Sequence, residues 1–248
     1  MTDNYIKSPT RALVLHSGGL DSTVALALAI RDNGKNNVAT ISIDYGSKHA
    51  TQELRASLYI CAALGVSRRY KVDLPNIFAG GDSALMGDIE MPHVDYATLH
   101  NAEGPSPTVV PFRNANLISI ATTIAARDHF GLVYVGMHAE DAHNWAYPDC
   151  TPEFLGAMAA CVYIGTYKQV RLVFPLCWMM KREVVQLGDR LQVPFHLTWS
   201  CYDPFDLGPD ENPITAQRYI HCGKCPTCVE RKEAFAAANI LDPTDYAA

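Results

Sequence analysis

The fold of this chain is constrained most strongly by a polar, glycine-containing turn that lies between a short apolar run and a helical pattern. Residues 11–16 (RALVLH) have the composition of a buried strand, and residues 21–30 (DSTVALALAI) repeat apolar positions at helical spacing. Between them, residues 17–22 (SGGLDS) carry two adjacent glycines, which lack a Cβ and let the backbone turn tightly against a ligand. The segment therefore predicts a strand, a tight turn and a helix at the start of an α/β fold.

Strands and helices alternate along most of the remaining sequence. Short apolar runs predict strands at 11–16, 37–44, 67–74, 131–138 and 170–175, and helical periodicity predicts helices at 21–30, 48–66, 114–130, 151–166 and 181–191. Gly65 is placed to end one helix, and Thr151 followed by Pro152 is placed to begin another. Residues 75–111, rich in Gly, Pro, Asp and His, are expected to form a long loop. This order predicts a Rossmann-like parallel five-stranded sheet with helices on both faces.

The composition limits the size of the core, the expected location and the kinds of partner of this chain. Its 248 residues are 48% hydrophobic, enough for one substantial core with a small appendage. No apolar run approaches the roughly 18–20 residues that cross a bilayer, and residues 1–10 lack the apolar core of a secretion signal, so we expect a cytoplasmic protein with no membrane partner. The net charge of −6 lacks the basic excess of a free-standing nucleic-acid binder, which favours a small-molecule substrate and no direct nucleic-acid contact.

The turn at 17–22 has the groups that an anion site needs. The first N–H groups of a helix have no intrahelical partners and attract phosphate together with the helix dipole; Ser17, Ser22 and Thr23 add hydroxyl donors. Asp21 would repel a phosphate unless it holds a Mg²⁺ ion that the phosphates share. The simpler alternative is an N-capped turn that binds nothing. Because S-G-G-x-D-S resembles the motif of the ATP pyrophosphatases, or PP-loop enzymes, rather than a P-loop or a G-x-G-x-x-G turn, ATP is the expected ligand.

Four of the eight cysteines lie together near the C-terminus: Cys201, Cys222, Cys225 and Cys228. The C-x-x-C-x-x-C spacing with one upstream cysteine supplies the four thiolates of a structural, tetrahedral Zn²⁺ site. An iron–sulfur cluster, a set of disulfides or buried core cysteines are the alternatives. We expect a helix to begin at the last of the four cysteines. We place the domain boundary near Thr198, which gives an ATP-binding α/β domain over 1–197 and a zinc-binding region over 198–248.

A second polar segment, residues 137–154, directly follows the fourth predicted strand. In open α/β sheets ligands bind beyond the carboxyl ends of strands, where this segment is expected. Its carboxylates and aromatic rings suit a planar heterocycle, since carboxylates accept hydrogen bonds from ring N–H and amino groups while rings stack. A polar loop before a capped helix explains the same residues equally well. Arg113 and Lys181, each at the start of a helix, are candidates to bind phosphate, although each alone is also typical of a surface charge.

Taken together, these segments resemble one family. SGGLDST, DYGSKH, VPFRN, YPDC followed by PEF, LTWSCY and CGKCPTC, spread from Leu13 to Phe235, are similar to motifs of the QueC family of 7-cyano-7-deazaguanine synthases in queuosine-precursor biosynthesis. The resemblance implies a homodimeric, C–N bond-forming ligase with an adenine-nucleotide-alpha-hydrolase-like version of the predicted fold. It also implies that 7-carboxy-7-deazaguanine and ammonia become the nitrile through adenylated acid and amide intermediates, driven by ATP, with no enzyme nucleophile.

The resemblance assigns roles to particular residues. Asp21, Arg113 and Lys181 are the implied catalytic residues, which hold the metal or stabilise charge on the phosphates. The implied nucleotide-binding residues are His16, Ser17, Gly18, Gly19, Leu20, Asp21, Ser22, Thr23, Asp44 and Tyr45. The implied contacts to the deazaguanine edge are Tyr147, Asp149 and Glu153. The implied zinc ligands are Cys201, Cys222, Cys225 and Cys228.

The sequence departs from the family pattern at several places. Ser47 and Lys48 stand where Gln and Arg are expected, Thr151 stands where Arg is common, and the stretch between Cys201 and Cys222 is long. These departures concern the substrate more than the ATP chemistry. They leave open a QueC-like adenylating enzyme, or a deazaguanine-binding module, that acts on a nucleic-acid or protein partner in DNA modification or defence. Transfer RNA thiolation is another PP-loop reaction, against which the acidic charge balance argues.

Overall fold

The computed structural model describes residues 10–74, 77–87, 89–95, 98, 106–209 and 217–247. The N-terminal residues 1–9 and parts of the expected loop at 75–111 lie outside the described residues. A five-stranded parallel sheet forms the centre of the described part. Its strands are β1 (Ala12–Leu15), β2 (Val38–Asp44), β3 (Arg69–Asp73), β4 (Leu132–Tyr134) and β5 (Arg171–Val173), in the order β3-β2-β1-β4-β5. The predicted fold class and the positions of all five predicted strands are confirmed.

Helices pack on both faces of this sheet. They are α1 (Leu20–Asn33), α2 (Ala50–Leu64), α3 (Arg113–Arg127), α4 (Pro152–Gly165) and α5 (Lys181–Arg190). Gly65 ends α2 in the left-handed conformation, with a φ of 71°. Thr151 begins α4 by accepting a hydrogen bond from Phe154 N–H at 3.2 Å, and Pro152 takes the first helical position, as predicted. Within the described ranges, none of the helices combines the length and the apolar character that crossing a membrane requires.

Successive residues of β1 divide the core into two layers. Ala12 and Val14 pack with the buried faces of α1 and α2, whereas Leu13 packs with those of α3 and α4. All three side chains are fully buried, as expected for a central parallel strand that is covered on both faces. The carboxyl end of β1, and the turn that follows it, is thereby held by the most completely buried strand of the sheet.

The C-terminal region contains a hairpin and a sixth helix. β6 (Phe205–Pro209) and β7 (Gln217–Ile220) form a two-stranded antiparallel sheet that the sequence did not predict, and α6 spans Pro226–Ala238. The expectation that this helix begins at Cys228 is wrong. Cys225 is its N-cap and Pro226 lies in its first turn, because proline fits the first helical position without losing a hydrogen bond.

Helix α6 is attached firmly to the rest of the molecule. Phe235 packs edge-on against Phe195, with ring centroids 5.0 Å apart, in a core shared with α1 and α5. Arg231 is almost fully buried, and its guanidinium donates to Thr198 Oγ1 at 2.7 Å and to Phe195 O at 3.1 Å. The carboxylate of Asp242 accepts from the same guanidinium at 3.2 Å, which pairs the buried charge. These contacts cross the expected boundary near Thr198, and the division into two domains stays a prediction.

Candidate active site

Two cavities of about 200 and 150 Å³ lie at the carboxyl ends of β1, β2 and β4. The chain places β2 and β3 on one side of β1, and β4 and β5 on the other, so β1 and β4 form the switch point at which open α/β sheets bind ligands. Both cavities are lined by Ser17, Gly19, Asp21, Glu53, Arg113, Asp141, Cys150 and Tyr202. Because they share these residues, we treat the two cavities as one site around the glycine turn.

The glycine turn is packed directly against the backbone of α2. Gly18 has a φ of +90°, and a Cβ at this position would lie 2.5 Å from Glu53 O and 2.6 Å from Ser57 N. Only glycine fits there. Gly19 is the N-cap of α1 and has no side chain, so no cap competes with a ligand for the first N–H groups of the helix. Leu20 is buried in the core with α5 and α6.

Hydroxyl and imidazole groups brace the turn from within. Ser17 Oγ accepts a hydrogen bond from Gly19 N–H at 3.1 Å and lies 3.2 Å from Ser22 Oγ. Thr23 Oγ1 donates to Gly19 O at 2.7 Å and lies 3.2 Å from Nε2 of His16. Burial lowers the pKa of His16 to about 3, so its ring is neutral and carries no charge toward a phosphate. His16 and Thr23 thus support the turn, and His16, Ser17 and Ser22 line the larger cavity.

A buried lysine reaches the first turn of α1. Lys181 begins α5, where its N–H donates to Glu140 Oε1 at 2.9 Å. Its Nζ lies 2.8 Å from Asp21 Oδ2, 2.9 Å from Glu230 Oε2 and 3.0 Å from His138 Nε2. Burial alone would lower the pKa of Lys181, but the carboxylates of Asp21 and Glu230 raise it above its usual value. The ammonium therefore stays charged, and Asp21 Oδ1 remains buried with no hydrogen-bond partner among the described residues.

An arginine approaches the same cavities from α3. Arg113 is the first residue of that helix and follows Phe112, which has a left-handed φ of 57°. Its guanidinium donates to Tyr45 Oη at 3.2 Å and lines both cavities. Tyr45 lines the larger cavity, whereas Asp44 lies outside both and accepts a hydrogen bond from Gly46 N–H at 2.9 Å. The structure therefore brings Asp21, Lys181 and Arg113 to one place.

The three residues predicted to bind the deazaguanine edge lie in different surroundings. Tyr147 lines the smaller cavity, and its hydroxyl is hydrogen-bonded to that of Thr108. Asp149 is buried, and its Oδ2 accepts from Asn114 N–H at 2.9 Å in the first turn of α3. Glu153 is exposed in the first turn of α4. Neither carboxylate lines the two cavities. A substrate role for Asp149 and Glu153 stays a prediction, and each carboxylate lies at a helix N-terminus, where negative charge is favourable.

The four predicted metal ligands form one buried cluster. Cys201, Cys222, Cys225 and Cys228 are all free thiols, with their sulfur atoms within 4.8 Å of one another. Cys222 N–H points to Cys201 Sγ at 3.2 Å, and Cys225 N–H points to Cys222 Sγ at 3.2 Å. Gly223 has a φ of +74°, as the tight turn between ligands requires. Four thiolates supported by backbone N–H donors fit a closed, tetrahedral zinc site, so the cluster supports a bound metal such as zinc.

The chain is similar to known proteins over nearly its whole length. A family model described as queuosine biosynthesis protein QueC matches residues 11–239. The chain belongs to the QueC family. Among its curated relatives, the "7-cyano-7-deazaguanine synthase" of Koribacter versatilis is 38% identical over 238 residues, covering 96% of this chain and 93% of that protein. Proteins of the same name from Marinomonas sp. and Thermoplasma volcanium are 37% and 38% identical, covering 96% of this chain and 99% and 91% of their own lengths. The resemblance to the QueC family that the sequence motifs indicated is confirmed.

This QueC chain also places Glu53, Cys150 and Glu230 at the site, and of these only Cys150 lies in a quoted motif, YPDC. Glu53 of α2 lines both cavities; burial raises its pKa to about 7, although Arg113 acts to lower it. Cys150 lines both cavities, and burial raises the pKa of its thiol well above the usual value, so it is no ready nucleophile. Glu230 of α6 contacts Lys181. In the sequence, a carboxylate within a helix has the pattern of a solvent-exposed charge. Only the tertiary structure shows that Glu53 and Glu230 line the site.

Proposed function

We propose that this chain catalyses the ATP-dependent conversion of 7-carboxy-7-deazaguanine and ammonia to 7-cyano-7-deazaguanine. The proposal is supported by the QueC family match and by relatives of that name that are similar over nearly the whole chain. The alternative of an adenylating or base-binding module for a nucleic-acid or protein partner is not favoured by these relatives. The chain is therefore assigned to the ligases that form C–N bonds in queuosine biosynthesis.

The observation that carries the proposal is the meeting of three charged side chains at one helix N-terminus. Asp21, Arg113 and Lys181 come from α1, α3 and α5, and all three line the smaller cavity beside the glycine turn. Lys181 and Arg113 would balance the negative charge that develops on the phosphates when the bond between the α and β phosphates breaks. The helix N-terminus adds N–H donors for the same charge. Such an arrangement suits adenylyl transfer from ATP.

The reaction consists of two rounds, and in each round one ATP activates an oxygen atom of the substrate. A carboxylate oxygen of the substrate attacks the α-phosphorus of ATP, the bond to pyrophosphate breaks, and an acyl adenylate forms. Ammonia adds to the acyl carbon, AMP leaves with its oxygen, and one proton is lost to give the amide. The amide oxygen then attacks the α-phosphorus of a second ATP. Loss of AMP and of the two amide protons leaves the nitrile. Each AMP carries away one oxygen of the original carboxylate.

The roles of the remaining site residues are part of this proposal. Asp21 Oδ1, buried and without a hydrogen-bond partner in the described part of the chain, would hold a Mg²⁺ ion, which supplies charge neutralisation to the phosphates when bound. Tyr45 and Asp44 would border the adenosine at the end of β2. Tyr147, in the smaller cavity, would contact the deazaguanine. The cysteine cluster would hold zinc in a structural role, because four thiolates leave no open position for a substrate.

The assembly and location of the protein are part of the same proposal. We propose a homodimer that acts in the cytoplasm on a small molecule, without direct contact to nucleic acid. The acidic net charge of −6 supports the last point, because phosphate backbones are bound by basic surfaces. Sedimentation of the purified protein would give the mass of the assembly, and a monomer would overturn the dimer.

The function is tested by mass spectrometry of a reaction that contains the protein, ATP, Mg²⁺, ammonium and 7-carboxy-7-deazaguanine. We expect two AMP for each nitrile formed. Asp21→Asn should lower the rate by about 10²–10³-fold, the range for losing one group that stabilises transition-state charge. Asp32→Asn, which removes an exposed carboxylate from the same helix, should leave the rate unchanged. AMP without nitrile would point to another adenylated substrate, and neither product from folded, zinc-loaded protein would refute the proposal.

A further inference from the structure

Three side chains beside Lys181 form a cluster that is separate from the four cysteines. We propose that His138, Asp141 and Glu230 bind a second, first-row transition-metal cation such as Mn²⁺. The three residues come from the segment after β4 and from α6, so the site joins the α/β sheet to the C-terminal region. This site goes beyond the adenylation chemistry proposed above and does not depend on it.

The separations between the ligand atoms fit a single ion. His138 Nε2 lies 3.4 Å from Asp141 Oδ1 and 3.6 Å from Glu230 Oε1, and one ligand atom from each residue lies within 4.8 Å of the others. Metal–ligand bonds of about 2.1 Å place neighbouring ligand atoms roughly 3.0–3.5 Å apart in octahedral or tetrahedral geometry. The observed distances need little adjustment to reach that range. His138 and Glu230 are also nearly fully buried, which limits their movement.

Two polar atoms of the cluster, His138 Nε2 and Glu230 Oε1, are buried close to one another. Glu230 is 5% exposed, and its Oε1 has no hydrogen-bond partner among the described residues. His138 Nε2 lies beside the Lys181 ammonium, which can only donate, so this nitrogen presents its lone pair. Nε2 of His138 and Oε1 of Glu230 lie 3.6 Å apart inside the protein, which leaves Oε1 buried without a hydrogen bond from this ring. A cation between the two atoms would relieve that arrangement.

Charge balance points to a divalent ion. With His138 neutral, as a metal ligand must be, the ionised carboxylates of Asp21, Asp141 and Glu230 contribute three negative charges around the single positive charge of Lys181, which leaves −2. Lys181 cannot supply the missing charge, because its three N–H donors are already directed to Asp21, Glu230 Oε2 and His138. A divalent ion on the Oε1 side of Glu230 would bring the sum to zero. Its binding requires Lys181 to release His138 Nε2 while keeping both carboxylates.

The donor set favours a transition metal over magnesium. One imidazole nitrogen with two carboxylates suits Mn²⁺, Fe²⁺ or Zn²⁺, whereas Mg²⁺ prefers an all-oxygen shell that retains several waters. The set also differs from the four thiolates, which select soft or borderline ions such as Zn²⁺. The two sites can therefore be filled separately, with zinc at the cysteines and Mn²⁺ at His138, Asp141 and Glu230.

The test is a titration of zinc-loaded protein with Mn²⁺ in the absence of nucleotide, followed by electron paramagnetic resonance of free Mn²⁺. We expect one Mn²⁺ per chain in addition to the zinc. Glu230→Gln and His138→Asn should each weaken Mn²⁺ binding at least about 10- to 100-fold, since even outer-shell changes cost that much. Glu233→Gln, which removes an exposed charge from the same helix, is the matched control. Unchanged zinc content in every variant shows that each has folded.

Three results would overturn the proposal. The first is wild-type protein that takes up no Mn²⁺ beyond the zinc. The second is unchanged Mn²⁺ binding in both Glu230→Gln and His138→Asn. The third is loss of binding in Asp21→Asn alone, which would mean that the ion belongs to the nucleotide position. Because no ATP or deazaguanine is present, any of these results leaves the proposed synthase activity to be judged by its own assay.

Discussion

Replacement of Gly18 by alanine gives the sharpest test of how the turn is built. The new Cβ would meet Glu53 O at 2.5 Å and Ser57 N at 2.6 Å, both backbone atoms of α2. Neither atom can rotate away, so the turn or the helix has to move. Overpacking of this kind costs about 1–3 kcal/mol, and the φ of +90° adds roughly 1–2 kcal/mol for a residue with a Cβ.

The unfolded state offsets part of this loss. Alanine lowers the conformational entropy of the unfolded chain relative to glycine, which is worth about 0.4–1 kcal/mol in favour of folding. The net expectation for Gly18→Ala is a loss of roughly 1–5 kcal/mol in the free energy of unfolding, with a fall in AMP formation because the phosphate turn is displaced. Urea denaturation followed by circular dichroism measures the first quantity, and AMP release measures the second.

Gly65 provides a control that separates backbone strain from steric overlap. It also has a positive φ, of 71°, but the nearest atoms to a Cβ there belong to the flexible Lys35 side chain at 3.8 Å or more. Gly65→Ala should therefore lose only about 1 kcal/mol, from the left-handed conformation less the unfolded-state gain. Equal losses in the two variants, or full AMP formation by Gly18→Ala, would show that α2 does not hold the turn and would refute the reasoning.

Three further outcomes are expected. His16→Gln should flatten the acid dependence of stability. The pKa of His16 in the folded protein, about 3, lies below the unfolded value, so the stability of the wild-type protein is full above pH 6.5 and is lost as the pH falls toward 3. Urea titrations should show a loss of up to about 1.4 kcal/mol per pH unit. Tyr147→Phe should lower the free energy of unfolding by about 1 kcal/mol, because the buried hydrogen bond to Thr108 is lost while that between Thr108 and Ser106 remains, and a double-mutant cycle with Thr108→Val measures the coupling. Cys225→Ser should reduce bound zinc below one per chain by elemental analysis and lower the melting temperature, whereas serine at the exposed Cys161 should change neither.

The sheet could be predicted because its strands are buried on both faces. Continuous apolar runs such as 11–16 identify strands of a parallel sheet without any knowledge of their neighbours. The hairpin of β6 and β7 could not be found in this way. Most residues of β6 are exposed, and its short sequence FDLGP contains glycine and proline, which are uncommon inside strands. Its existence depends on pairing with β7, which is a tertiary contact.

The site residues also divide into those that the local sequence predicts and those that only tertiary contacts reveal. The glycine turn and the cysteine cluster are local in sequence, so spacing alone predicts the turn geometry and the thiolate set. Asp149 is a residue whose contact cannot be predicted from the neighbouring sequence. A carboxylate in the segment that follows β4 favours a ligand contact; its Oδ2 accepts a hydrogen bond from Asn114 N–H in the first turn of α3, and its substrate role stays a prediction. Helix N-termini and polar ligands attract the same side chain, and the sequence cannot distinguish them.

Glu230 presents the opposite case. In the sequence VERKEAF it has the pattern of a solvated helix face, and its neighbour Arg231 appears equally ordinary. The structure buries both side chains and gives each a charged partner, Lys181 for Glu230 and Asp242 for Arg231. A buried ion pair is weak evidence for stability, since desolvation opposes the attraction. The burial of Glu230 next to a cavity is therefore better explained by a task at the site. Because Glu230 follows Cys228 on α6, holding the cysteine cluster in place also fixes the carboxylate that contacts Lys181.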